Sequence, residues 1–197
     1  MSINYPLSLP TGVYPSSYTL GYLTNSKTNT SPFTFSTQRL ESYGQAWSLS
    51  MTFPPLDEAK ARAMAAFMAQ MKGTLGTFSF GPKNAWKGTG AGAPTLVSID
   101  NDLKNSITIN PNNTSIPAGS YVQIGTQLVM VLNDVAAVNT GVAGVSIFPR
   151  LRSALAGGTF ITYVNPKGRF SLTSNDQTWS YDRSKYTTFN LEAVESL

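Results

Sequence analysis

The chain has 197 residues and a formal charge of +4, and it contains neither His nor Cys. Without His, general acid–base work would fall to carboxylates, Lys or Tyr. Without Cys there is no thiolate nucleophile, disulfide, thiolate zinc site or iron–sulfur cluster. Carboxylate-pair chemistry of the glycosidase kind needs only two acids, but the ten acidic residues are scattered along the chain. The composition therefore points to a non-enzymatic structural or binding protein without a cofactor or a bound metal.

The length suits one domain with an insertion, or two small domains. Apolar residues make up 41% and charged residues only 12%, against about 25% charged in ordinary soluble domains. Ser, Thr, Asn and Gly fill the gap, which suits β-sheets partly buried in an assembly. No apolar run approaches a membrane span, and Met1–Pro10 lacks a basic start and an apolar core, so the expectation is a soluble protein made in the cytoplasm. Residues 1–94 carry seven basic against three acidic side chains, and the rest of the chain is balanced. No basic cluster with interleaved aromatics marks a nucleic-acid footprint.

Residues 1–30, rich in Ser, Thr, Asn, Pro and Tyr, read as an extended N-terminal arm or leader that gains order on a partner. Within it Tyr14, Tyr18 and Tyr22 recur every four residues; Pro15 argues against a helix, and the tyrosines read as anchors for the arm. A hairpin is predicted from Phe33–Leu40 and Trp47–Phe53 around a turn at Glu41–Gln45. Trp47, Leu49, Met51 and Phe53 alternate with Ser and Thr, giving one apolar face. Pro54-Pro55 ends that strand. A helix is expected near 56–72, with Ala59, Ala63, Phe67 and Met71 as its apolar stripe, Met64 and Met68 beside it, and Gly73 as its stop.

A short strand at Gly76–Gly81 precedes Gly88–Pro94, a Gly-rich stretch that reads as a flexible hinge, since it lacks the ending of a phosphate-cradling loop. Six short strands follow, at Thr95–Ile99, Ser106–Ile109, Tyr121–Ile124, Gln127–Leu132, Gly144–Phe148 and Phe160–Val164. Turn-rich pieces separate them, as in a small barrel or sandwich. Strands at Arg169–Thr173, Gln177–Tyr181 and Tyr186–Val194 close the chain. The predicted fold class is mainly β with one helix.

Ser31-Pro32-Phe33-Thr34-Phe35, Thr37-Gln38-Arg39, Gly44-Gln45-Ala46-Trp47, Phe53-Pro54-Pro55-Leu56, the Ala-rich helix and Gly73–Phe78 resemble a family of phage distal-tail (baseplate) proteins. Asn165–Phe170 and the Phe189–Val194 strand are similar to its C-terminal part. The similarity covers roughly 31–82 and 145–197, and its motifs are structural. It implies a split β-barrel-like tail-ring domain over 31–94 and 164–197, with 95–163 as an inserted β domain. It also implies a homo-oligomeric ring, often a hexamer, at the tail tip of a virion assembled in the host cytoplasm. The ring would join the tail tube to the baseplate hub, with the tube, hub and tape-measure proteins as partners and receptor-binding or side-fibre proteins nearby. A neighbouring tail collar or tip ring protein shares the same barrel, and a carbohydrate-binding module is the alternative reading of the inserted domain.

The candidate assembly residues are Tyr14, Tyr18 and Tyr22; Arg39 and Glu41, which end the first predicted strand and are placed to pair across subunits; Trp86, an exposed contact in a loop; and Arg150 and Arg152. The two arginines flank Leu151 and read as an intersubunit salt bridge in preference to a phosphate contact. Asp100-Asn101-Asp102 with Asn105 offers oxygen ligands for Ca²⁺, although Asp and Asn are also ordinary turn residues.

Overall fold

The computed structural model describes residues 3–83, 88–99, 104–139, 141–181 and 186–196, with the backbone alone at 41, 42 and 181. The expected class holds: the described residues form a mainly β molecule with one α-helix. Two sheets, each with its own core, carry the structure.

The first is built from both ends of the chain and is called here the terminal sheet. Its strands are β1 (Ser17–Thr30), β2 (Thr37–Thr52), β3 (Thr77–Phe80), β12 (Gly168–Leu172), β13 (Trp179–Tyr181) and β14 (Thr187–Glu195). They run in the order β1-β2-β14-β12-β3, with β13 added on β14. The alternation predicted for β2 is observed: Trp47, Leu49, Met51 and Phe53 are all buried. They meet the alternating Phe189, Leu191 and Ala193 of β14 in one core.

Helix α1 (Glu58–Met71) covers that core. Asp57 caps it by accepting from the Lys60 N–H at 2.9 Å, which satisfies one of the donors a helix start leaves open. The helix ends where Lys72 turns left-handed at φ 51° ahead of Gly73 at φ 66°. The buried stripe differs from the expected one. Ala61, Met64, Phe67, Met68 and Met71 face inward, whereas Ala59 and Ala63 are exposed. Small side chains let the helix settle on its larger ones, and Phe67 meets Phe78 of β3 edge-on with ring centres 6.0 Å apart.

The second sheet is inserted between β3 and β12. Its strands are β5 (Thr95–Ile99), β6 (Ser106–Asn110), β8 (Tyr121–Ile124), β9 (Gln127–Val131), β10 (Ala143–Phe148) and β11 (Ile161–Thr162), in the order β11-β8-β9-β10-β6-β5. Its two ends meet: Leu96 N–H donates to Thr159 O and Ile161 N–H to Pro94 O, at 2.8 and 2.9 Å. The insertion is thus a nearly closed barrel around Ile107, Ile109, Val122, Val129, Val145 and Ile147.

Three expectations are corrected. The Gly-rich stretch is not a free hinge: β4 (Thr89–Gly90) pairs with β7 (Thr114–Ser115). Gly90, at φ 136°, passes so close that an added Cβ would lie 2.6 Å from Asn113 O. Residues 3–30 are not an unpaired arm either, because Leu7 bridges Phe78 and β1 pairs with β2 along its length. The hairpin turn lies at Ser31–Ser36, with Ser31 N–H donating to Ser36 O at 3.0 Å, and not at Glu41–Gln45. Around the predicted turn the ladder slips between Thr24–Gln45 and Ser26–Glu41, so Ser42, Tyr43 and Gly44 stand opposite Asn25 alone. The turn-like residues make a bulge, which bends a strand without ending it.

Candidate assembly interface

The β1–β2 hairpin is far longer than the sheet it belongs to. β14 pairs with β2 only over Ser48–Thr52, so from the bulge outward the hairpin continues as a two-stranded ribbon without a third strand. Beyond the bulge five residues of each strand, Ser26–Thr30 and Thr37–Glu41, project, a reach of about 17 Å at ~3.3 Å per residue. The ribbon exposes Leu23, Leu40 and Tyr43, and at its tip Phe33 is 92% and Phe35 81% exposed. An isolated two-stranded ribbon is marginal in water and its edges are open to pairing. Large apolar groups on such a ribbon have the chemistry of a contact surface.

The root of the ribbon is clamped by the inserted barrel. Strands β8 and β9 use both faces: Val122, Ile124, Val129 and Val131 point into the barrel core, while Leu128, Tyr121 and Met130 join the core of the terminal sheet. Trp47 sits at that seam, 1% exposed. Its indole N–H donates to Leu128 O at 2.8 Å, and its ring lies 5.6 Å from both Tyr121 and Phe148. Gly168 completes the approach, since a Cβ there would lie 2.8 Å from Leu128 Cβ.

Beside Trp47 the segment after β10 reaches the bulge. Arg150 N–H donates to Gln45 Oε1 at 3.1 Å, and the Arg150 guanidinium lies 4.6 Å over the Tyr43 ring. Arg152 donates to Gln45 O and meets Glu195 Oε2 at 3.3 Å. Gln127 ties the segment down by donating to Arg150 O at 2.9 Å and accepting from Arg152 N–H at 3.3 Å. Glu195, with its side chain only 1% exposed, also accepts the Trp47 N–H at 3.2 Å. Burial pushes its carboxyl up to about 7, against the opposing pull of Arg152 and the Trp47 N–H. An open groove of about 550 Å³ runs along this root, between Leu23–Asn25, Tyr43–Ala46 and Arg150–Arg152.

The sequence-selected residues divide accordingly. Arg150 and Arg152 converge on the root, and Arg152 pairs there with Glu195 of the same chain. Glu195, Gln45 and Gln127 were not foreseen. Tyr22 stacks edge-on on Phe148 with centres 5.3 Å apart. Tyr18 does the same on Phe80 at 5.3 Å and donates its hydroxyl to Lys83 O at 2.9 Å. Tyr14 carries the Lys83 ammonium 4.5 Å over its ring. All three tyrosines therefore anchor their segment on the chain itself. Arg39 is exposed on the ribbon opposite Thr28. Glu41 stands opposite Ser26, and its side chain lies outside the described residues, as do Trp86 and Asp100–Asp102. Among the described residues no group of three acidic, His or Cys side chains is placed to hold a metal ion, and no helix is long and apolar enough to cross a membrane. No protein-family profile matches the chain, and no curated protein matches it in sequence.

Proposed function

We propose that this chain is a structural, non-enzymatic subunit that assembles into a ring at the tip of a phage tail, through the β1–β2 ribbon. The ribbon carries the reading: it extends beyond its own sheet, has two open edges and displays Phe33, Phe35 and Leu40 to solvent. Ordering such an element on a neighbouring copy would bury those rings and pair those edges. A heterologous contact of this kind, repeated head to tail, closes into a ring. The resemblance of residues 31–82 and 145–197 to distal-tail proteins supplies the setting: a ring, hexameric in that family, between the tail tube and the baseplate hub of a virion assembled in the host cytoplasm. In that setting the inserted barrel lies towards fibre or receptor-binding proteins. The test is to replace residues 28–39 with a two-residue Asn-Gly turn, which joins the paired Lys27 and Leu40, and compare assembly with the intact chain. The shortened chain stays a folded monomer if the ribbon is the assembly element; if it assembles like the intact chain, the ribbon is not the contact.

A further inference from the structure

We propose that Glu195 is a proton-operated latch that tightens the joint between the inserted barrel, the terminal sheet and the ribbon root when its carboxyl is protonated, and slackens it when the carboxyl ionises. The joint brings together three parts of the chain: β14 supplies Glu195, β2 the Trp47 N–H and Gln45 O, and the segment after β10 supplies Arg152. Only one carboxyl oxygen is served. Oε2 receives the Trp47 N–H and faces Arg152, while Oε1 is buried and takes no hydrogen bond.

An ionised carboxylate offers about four acceptor sites and pays heavily for those left dry. Arg152 repays part of that cost, but it is shared with Gln45 O and its side chain is 22% exposed. Among the described residues, Arg152 is the ion-pair partner of Glu195. On β2 its neighbours, Gln45 and Trp47, are neutral. On β12 the residue directly opposite is Phe170, and Arg169 alternates onto the other face. Arg150, two residues before Arg152, lies over Tyr43.

The sign follows from linkage. A closed joint holds the carboxyl dry and raises its proton affinity, whereas an open joint wets it and restores the ordinary value. Protons therefore bind the closed form preferentially, and ionisation favours opening. Burial places this transition near neutrality. The latch concerns the chain itself and holds whether or not the chain forms rings.

Amide exchange on the monomer, corrected for intrinsic rates, reads the joint directly in peptides covering Gln45–Trp47 and Arg150–Arg152. In the wild type their protection falls about tenfold between about pH 5.5 and pH 8.5, while peptides covering Ile107 and Val145 inside the barrel hold theirs. Glu195→Gln, neutral at both pH values, keeps the high protection throughout. A wild-type joint with constant protection, or an equal fall in Glu195→Gln, overturns the proposal. If the variant does not fold, a carbon NMR titration of the Glu195 carboxyl decides. A midpoint near neutrality that coincides with shifts at residues 45–47 supports the latch, and a midpoint in the ordinary carboxylate range refutes it.

Discussion

Trp47→Phe tests whether the seam between the two cores is an energetic link or a mere contact. The substitution keeps an aromatic ring against Tyr121 and Phe148 but deletes the indole N–H that reaches Leu128 O at 2.8 Å. Losing that hydrogen bond costs about 1 kcal/mol net. The smaller ring leaves a gap beside Leu128, itself fully buried, and a gap of three heavy atoms in a core that cannot collapse adds about 1–2 kcal/mol. The sum, about 2–3 kcal/mol, is a fall in Tm of roughly 5–10 °C for a chain of this size. Thermal melts followed by near-ultraviolet and far-ultraviolet circular dichroism are the assay. The wild type should unfold in one transition seen identically by both probes, because Leu128 and Trp47 join the terminal-sheet core to a strand of the barrel. Trp47→Ala, with about 3–5 kcal/mol lost, should separate the two probes as the barrel and the sheet melt apart. A Trp47→Phe variant that melts within about 2 °C of the wild type, with one transition retained in Trp47→Ala, would refute the reasoning.

Three further outcomes follow from the same geometry. Glu195 binds its proton more tightly in the fold than its ordinary 4.5, so its own contribution to stability is full below about pH 4.5, declines by about 3 kcal/mol as pH rises to about 7, and is level above; urea unfolding at stepped pH, read as the difference between the wild type and Glu195→Gln, measures this contribution. Gly168→Ala forces a methyl against Leu128 Cβ and Phe170 Cε2, 2.8 and 3.2 Å away, and should cost about 1–3 kcal/mol by chemical unfolding. The double variant Phe33→Ser, Phe35→Ser changes only exposed groups, so its stability should stay within about 0.5 kcal/mol of the wild type, while sedimentation should show loss of assembly.

The elements whose side chains repeat in a regular pattern were legible in the sequence. Strand β2 is marked by Trp47, Leu49, Met51 and Phe53 at every second position, and the strands of the inserted barrel by short apolar runs between Asn, Pro and Gly turns. The helix was found through its Pro-Pro entry, Asp57 and Gly73, but its stripe was misaligned, because alanines mark a face weakly and the methionines and Phe67 choose the buried side. The hairpin turn was misplaced because Gly44 advertises a turn. The real turn is closed by Ser31 and by Phe35 at φ 54°, a backbone state that a bulky residue rarely adopts. The apolar run Leu128–Leu132 held a signal that alternation does not capture: a strand buried on both faces reads as continuous rather than alternating, and Leu128 and Val129 serve different cores. Arg150 and Arg152 stood out by spacing, yet their partners Gln45 and Glu195 are more than forty residues away in sequence, and only folding brings them together.

Ring assembly through the ribbon, as proposed, is checked by mass from light scattering with negative-stain imaging of the purified chain, alone and mixed with tail-tube or hub protein. Closed rings of identical subunits with an open centre, lost in the Phe33→Ser, Phe35→Ser variant, are the predicted result. A strict monomer at high concentration under both conditions would contradict it.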